Sequence, residues 1–95
     1  SSNMQPPPLT TYNLMLIASP KYLEVCNSKL FAFGAEHITL RRARLPGSPL
    51  EILKLELTIS HDQRMKLEKA FSFMRNQGLL SARFERADQP ITSKT

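Results

Sequence analysis

Apolar and polar residues alternate along "LEILKLELTIS" (Leu50 to Ser60), with Leu53, Leu55, Leu57 and Ile59 on one side and Ile52, Lys54, Glu56 and Thr58 on the other. A period of two sends successive side chains to opposite faces of a strand, so the stretch predicts a strand with one buried and one mixed face. "TYNLMLIA" (Thr11 to Ala18) differs: Tyr12, Leu14 and Leu16 share one face, while Met15 and Ile17 make the other apolar too. A strand apolar on both faces belongs at the centre of a sheet, or has its open face covered by something.

After each of these strands the period becomes helical. Ser19 supplies an N-cap oxygen, and Pro20 suits the first helical position, where a missing N–H costs nothing. Leu23, Cys26, Leu30 and Phe33 recur along one stripe until Gly34 ends the helix. Ser60 and Gln63 form the capping pattern S-x-x-Q. A second stripe follows, Leu67, Phe71 and Met74, widened by Met65, Ala70 and Phe73 and stopped at Gly78.

Two further strands complete the pattern. "EHITLRRARL" (Glu36 to Leu45) begins with Ile38 and Leu40 directed inward. It slips at Arg41-Arg42, after which Ala43 and Leu45 take the inward side; a bulge at the paired arginines of an edge strand accounts for the slip. "PGSP" (Pro46 to Pro49) is a turn, and "LLSARFER" (Leu79 to Arg86) points Leu80, Ala82 and Phe84 inward.

The resulting order is β-α-β-β-α-β. Right-handed crossovers turn it into an α+β, ferredoxin-like sandwich: a four-stranded antiparallel sheet with both helices on one face, in spatial order fourth, first, third, second strand. This single domain is expected over residues 11–86. A disordered, proline-rich lead-in occupies 1–10 and a flexible tail 87–95.

Composition narrows the function classes. The chain has 95 residues, of which 13 are basic and 8 acidic, so a net charge of +5 permits contact with anions without concentrating it in one tract. No run of about eighteen apolar residues and no signal-peptide layout is present, which predicts a cytoplasmic protein with no membrane partner. The lone Cys26 lies on a helix stripe and reads as a small core residue rather than a reactive thiol. His37 and His61, at a strand start and a helix start, read as exposed polar residues. The three glycines lie too far apart for a phosphate loop, no Cys-x-x-Cys exists, and no His–acid pair stands beside Ser19 or Ser60. The expectation is a protein that is not an enzyme and needs no metal or cofactor.

Two surface features remain. Met15, Ile17 and Ile52, with Lys54, would form an exposed patch on the sheet face away from the helices. Such a patch marks a partner surface, and the simplest partner is a second copy, giving a homodimer. Arg41, Arg42 and Arg44 make the edge strand basic, either as a solubilising edge or as a contact for anions or nucleic acid. Nucleic acid is the less favoured partner, because no aromatic ring falls on the open face of the central strands, where bases would stack.

The stretch Ser19 to Leu40 also resembles a known family. A strand, a proline-containing turn, a helix with Leu23 and Glu24 early, Gly34, and a strand with Ile38 are similar to the ACT regulatory domain. "LEILKLELTIS", a second helix and a last strand extend the likeness over Tyr12 to Phe84, in the layout of the short regulatory subunit of acetolactate synthase. The resemblance implies a dimer that binds an amino acid beside the first strand–helix turn. That site would use Ser19, Pro20, Lys21 and Tyr22, with Gly34 shaping the next turn. The family often carries glycine after the proline; here Lys21 stands there and crowds the backbone amides that an effector would approach, so the departure bears more on a small amino-acid effector, which stays among the expected partners, than on contact with a partner enzyme. The function expected is a non-catalytic regulatory or interaction module that dimerises and binds a partner protein. The alternatives are a small nucleic-acid-binding protein using the arginine edge, or a scaffold domain of a larger assembly.

Overall fold

The computed structural model describes residues 5–87. Residues 88–95 of the expected tail, and residues 1–4 of the lead-in, lie outside that range. The first strand begins at Leu9, inside the stretch assigned to the lead-in.

Local chemistry sets both helices. Ser19 adopts an extended backbone, and its Oγ accepts the Tyr22 N–H at 3.2 Å, starting α1 (Pro20–Ala32) with proline in its first turn. Gly34, at φ +67°, follows the Phe33 C-cap and turns the chain out of the helix. The capping box is complete at α2 (His61–Met74): the Gln63 N–H donates to Ser60 Oγ at 3.1 Å, and the Ser60 N–H donates to Gln63 Oε1 at 2.9 Å.

The strands β1 (Leu9–Ala18), β2 (His37–Arg44), β3 (Glu51–Ser60) and β4 (Leu79–Arg86) form one sheet in the order β2-β3-β1-β4, every pairing antiparallel. The two strands with the strongest apolar patterns, β1 and β3, are therefore central, as expected. Tyr12, Leu14, Leu16, Leu53, Leu55, Leu57 and Ile59 face the helices and join Leu23, Cys26, Leu30, Leu67, Phe71 and Met74 in a single core. Burying each of these large side chains contributes roughly 1.5–3 kcal/mol. No helix among the described residues is long and apolar enough to cross a membrane.

Three details of facing depart from the sequence expectation. The second strand carries the opposite phase. His37, Thr39 and Arg42 pair with Leu57, Leu55 and Leu53 on the helix side, so Ile38 and Leu40 stand on the open face, 62% and 54% exposed. The bulge lies between Thr39 and Arg41, one step before the expected place, and Ala43 pairs with Ile52, also on the open face. Leu45 lies past the strand end and is half-buried. The physical reason is that β2 is an edge strand. A cleft lined by Leu23, Glu24, Asn27, Thr39, Arg42 and Leu53 remains between it and α1, so polar side chains are tolerated on its helix side.

On α2, Met65 and Phe73 point outward at 52% and 69% exposure. Each is two residues from a core position, about 200° around the helix, so the buried stripe is the narrow one through Leu67, Phe71 and Met74. On β4, the register shifts opposite Ile17 and Ala18, so Leu79 takes the buried place and the extra residue Leu80 stays 59% exposed, while Ala82 and Phe84 pack on the core as expected.

Candidate functional site

Each strand has a side that the helices leave open, and the pairing register sorts the residues there into rows running across the sheet. Met15 pairs with Lys54 and with Arg83, and Lys54 pairs with Arg41. One row therefore reads Arg41, Lys54, Met15, Arg83. Two residues along, Ile38, Glu56, Asn13 and Glu85 form the next row. On the other side of the basic row stand Ala43, Ile52, Ile17 and Ser81. The face is thus apolar at one end, basic across the middle and acidic beyond.

All four residues expected at an interface, Met15, Ile17, Ile52 and Lys54, share this face; Met15 with Lys54 and Ile17 with Ile52 are direct cross-strand neighbours. Ile38 and Leu40, which the sequence pattern directs inward, instead enlarge the patch. Alternation shows that a strand has an apolar side without showing which way it turns, and the only available signal was the polar run His37, Thr39, Arg42, Arg44 on the opposite side. A cleft of about 410 Å³ lined by Asn13, Met15, Leu40, Lys54, Arg83 and Glu85 runs over the middle of the face.

The three arginines do not act as a unit. Arg41 lies in the open-face row, whereas Arg42 and Arg44 turn to the helix side. Arg42 Nε donates to Glu51 Oε1 at 2.6 Å, a half-exposed ion pair along the edge. The cations that Arg41 joins are Lys54 and Arg83. The aromatic rings of the strands, Tyr12 and Phe84, meet edge-to-face at 6.1 Å on the core side, so the strand residues of the open face carry no aromatic ring.

The residues implied by the ACT resemblance fall at two places. Ser19, Pro20, Lys21 and Tyr22 form the first turn of α1. Gly34 follows the other end of that helix, about 20 Å away at 1.5 Å per residue. The Tyr22 ring packs against Gly78, and its hydroxyl donates to the Met74 carbonyl at 3.5 Å and to Gln77 Oε1 at 3.4 Å. Gly34 instead helps line an open groove of about 760 Å³ with Phe31, His37, Ile38, Glu56 and Thr58. His37 was expected to be a free surface residue, yet it is half-buried there. Its Nδ1 lies 3.1 Å from the Ala35 carbonyl oxygen and its Nε2 2.9 Å from Asn27 Oδ1, so it fastens β2 to α1.

Cys26 is fully buried, and burial pushes its thiol up to about 11, partly offset by a backbone hydrogen bond. It is a core side chain, unsuited to act as a thiolate nucleophile at neutral pH. Among the described residues, no group of three or more His, Cys, Asp or Glu is placed to hold a metal ion.

Neither a protein-family model nor a curated protein matches the sequence. Among solved structures, the solution structure of the C-terminal domain of the MgtC protein from Mycobacterium tuberculosis is similar, with a TM-score of 0.64 and 14% identity over 95% of this chain and 100% of that one. The likeness is one of fold. The sheet order of this chain, β2-β3-β1-β4 with two helices, is that of a ferredoxin-like sandwich.

Proposed function

We propose that the chain is a non-catalytic regulatory or interaction module that works through the open face of its sheet. The observation that carries this reading is the gathering of Met15, Ile17, Ile38, Leu40 and Ile52 on the side that neither helix covers. Water against so much aliphatic surface is unfavourable at roughly 25 cal/mol per Å², so a partner that excludes it gains free energy. In the finer form of the proposal, the module dimerises and binds a partner enzyme of amino-acid biosynthesis, as the ACT resemblance implies. An amino-acid effector would then sit beside Ser19 to Tyr22.

Affinity capture from native cells tests the interaction, comparing the wild type with Ile38→Asp and Leu40→Asp, which change the open face and leave the core alone. A specific protein retained by the wild type and lost from both variants supports the reading; retention unchanged by both variants removes it. For the effector, calorimetric titration with leucine, isoleucine and valine is decisive: no heat and no rise in melting temperature with any of them eliminates that part.

A second reading rests on the row Arg41, Lys54, Arg83, which offers three cations on one line across the face. Such a row can track a phosphate backbone, and its signature is retention on RNA or DNA that falls steeply with salt. Loss of that retention in an Arg41→Ala, Lys54→Ala, Arg83→Ala variant would favour it over protein docking.

A further inference from the structure

The charge rows of the open face are complementary to each other, and this selects both a partner and a geometry. We propose that the face docks on a second copy of itself about a two-fold axis that runs across the strands, between the basic and the acidic row, seating Lys54 and Arg83 of each copy on Glu56 and Glu85 of the other. The inference rests on the reading of the open face as an interface and adds its occupant and register.

The argument follows from the pairing. Lys54 and Glu56 are two residues apart on β3, and Arg83 and Glu85 are two apart on β4, so each pair of opposite charges spans the same step along neighbouring strands, about 7 Å. A rotation of 180° about a line midway between the rows exchanges the rows while keeping every strand over its own counterpart. Lys54 then meets Glu56 of the second copy and Arg83 meets Glu85, and symmetry repeats each contact. On the same rotation Met15 meets Asn13, and Arg41 overlies Ile38 at the rim.

The competing face-to-face arrangement turns about an axis parallel to the strands, between β1 and β3. That rotation lays the basic row on itself, with Arg41 over Arg83 of the second copy, and its like charges oppose it. Aligned sheets also cross at about 30°, which displaces the edge strands most and leaves the pair on central β3, Lys54 with Glu56, in register.

The side chains are available for such contacts. Among the described residues Lys54 and Glu56 make no ion pair, and Arg83 reaches Glu85 only at 3.6 Å, with both side chains about two-thirds exposed. Four strands at about 4.8 Å and some eight residues at about 3.3 Å give a face on the order of 500 Å² in plan. That lies at the small end of specific interfaces. The dimer is therefore a dissociable one, and its register depends on charge.

Sedimentation of the full chain across a wide concentration range tests this. The wild type is expected to dimerise, less tightly as salt rises. Lys54→Glu and Glu56→Lys, each alone, weaken the dimer by at least about tenfold. The double variant Lys54→Glu/Glu56→Lys restores it, and an equimolar mixture of the two single variants forms a heterodimer. Circular dichroism checks that each variant is folded; if one is not, Arg83→Glu and Glu85→Arg replace the pair and must show the same reciprocal rescue. A wild type that stays monomeric at high concentration overturns the inference, as does a dimer that both single variants leave intact, or nucleic-acid binding by a monomer. A monomer whose captured partner is still lost with Ile38→Asp defeats self-docking alone and leaves the interaction reading standing.

Discussion

The Tyr22 ring lies on the backbone of Gly78: a Cβ placed on that glycine would stand 2.9 Å from Tyr22 Cδ1 and 3.1 Å from Cε1. The contact ties the β1–α1 turn to the chain leaving α2, across the top of the core. Gly78 sits at φ +146°, a region that side-chain-bearing residues avoid, so it answers two demands at once. Gly78→Ala is expected to destabilise the fold by about 2–3 kcal/mol in urea denaturation. Adding Tyr22→Ala relieves the steric part but not the backbone strain, so the double variant loses less than the sum of the singles.

Gln63 does more than cap its own helix. Its Nε2 also donates to the Phe33 carbonyl at 3.1 Å, joining the start of α2 to the end of α1. Ser60→Ala should cost about 1 kcal/mol. Gln63→Ala should cost more, because it leaves both the Ser60 N–H and the Phe33 carbonyl without their partner. Gln63→Glu keeps the acceptor and loses the donor, and its melting temperature is expected between those of the wild type and Gln63→Ala.

The facing of β2 has a direct thermodynamic consequence. Ile38→Ser and Leu40→Ser remove side chains that are more than half exposed, and each should change unfolding free energy by no more than about 0.5 kcal/mol. Leu57→Ala, at a fully buried site on the neighbouring strand, should cost about 2–5 kcal/mol. Similar losses at all three positions would show that β2 turns its apolar side to the core.

Cys26 sets a limit at alkaline pH. Its thiol titrates near 9.0 when unperturbed and at about 11 in the fold, so the native state holds its proton more tightly than the unfolded chain. The stability linked to it is fully present below pH 9 and is lost as pH rises towards 11. Denaturation midpoints should decline over that window in the wild type and flatten in Cys26→Ala. In the native protein below pH 9, alkylation of the thiol should be far slower than in the unfolded chain.

Apolar character alone does not decide burial in this fold. Ile38, Leu40, Met65 and Phe73 are large and apolar, yet all are exposed. Hydrophobicity marked them for burial, but the edge strand and the narrow helix stripe had no buried place for them. The candidate interface was visible in part, because Met15, Ile17, Ile52 and Lys54 were already assigned to one face by alternation within single strands. Its two further members on β2 were not, since their facing depends on how β2 registers against β3.

The order of the sheet followed from the handedness of crossovers, whereas local chemistry in the chain was enough to fix the six elements, both helix caps and most of the core. Those features depend on periods, caps and turns that act within a few residues, so they can be read along one segment at a time. Relations between segments required the tertiary structure: the phase of β2, the packing of Tyr22 on Gly78, the division of Arg41 from Arg42 and Arg44, and the alignment of charges into rows. A shift of one residue in pairing reverses every side chain of a strand; a strand with one buried face resists that shift through its own apolar pattern, but the edge strand β2 buries no residue fully, so its register is set by its neighbour.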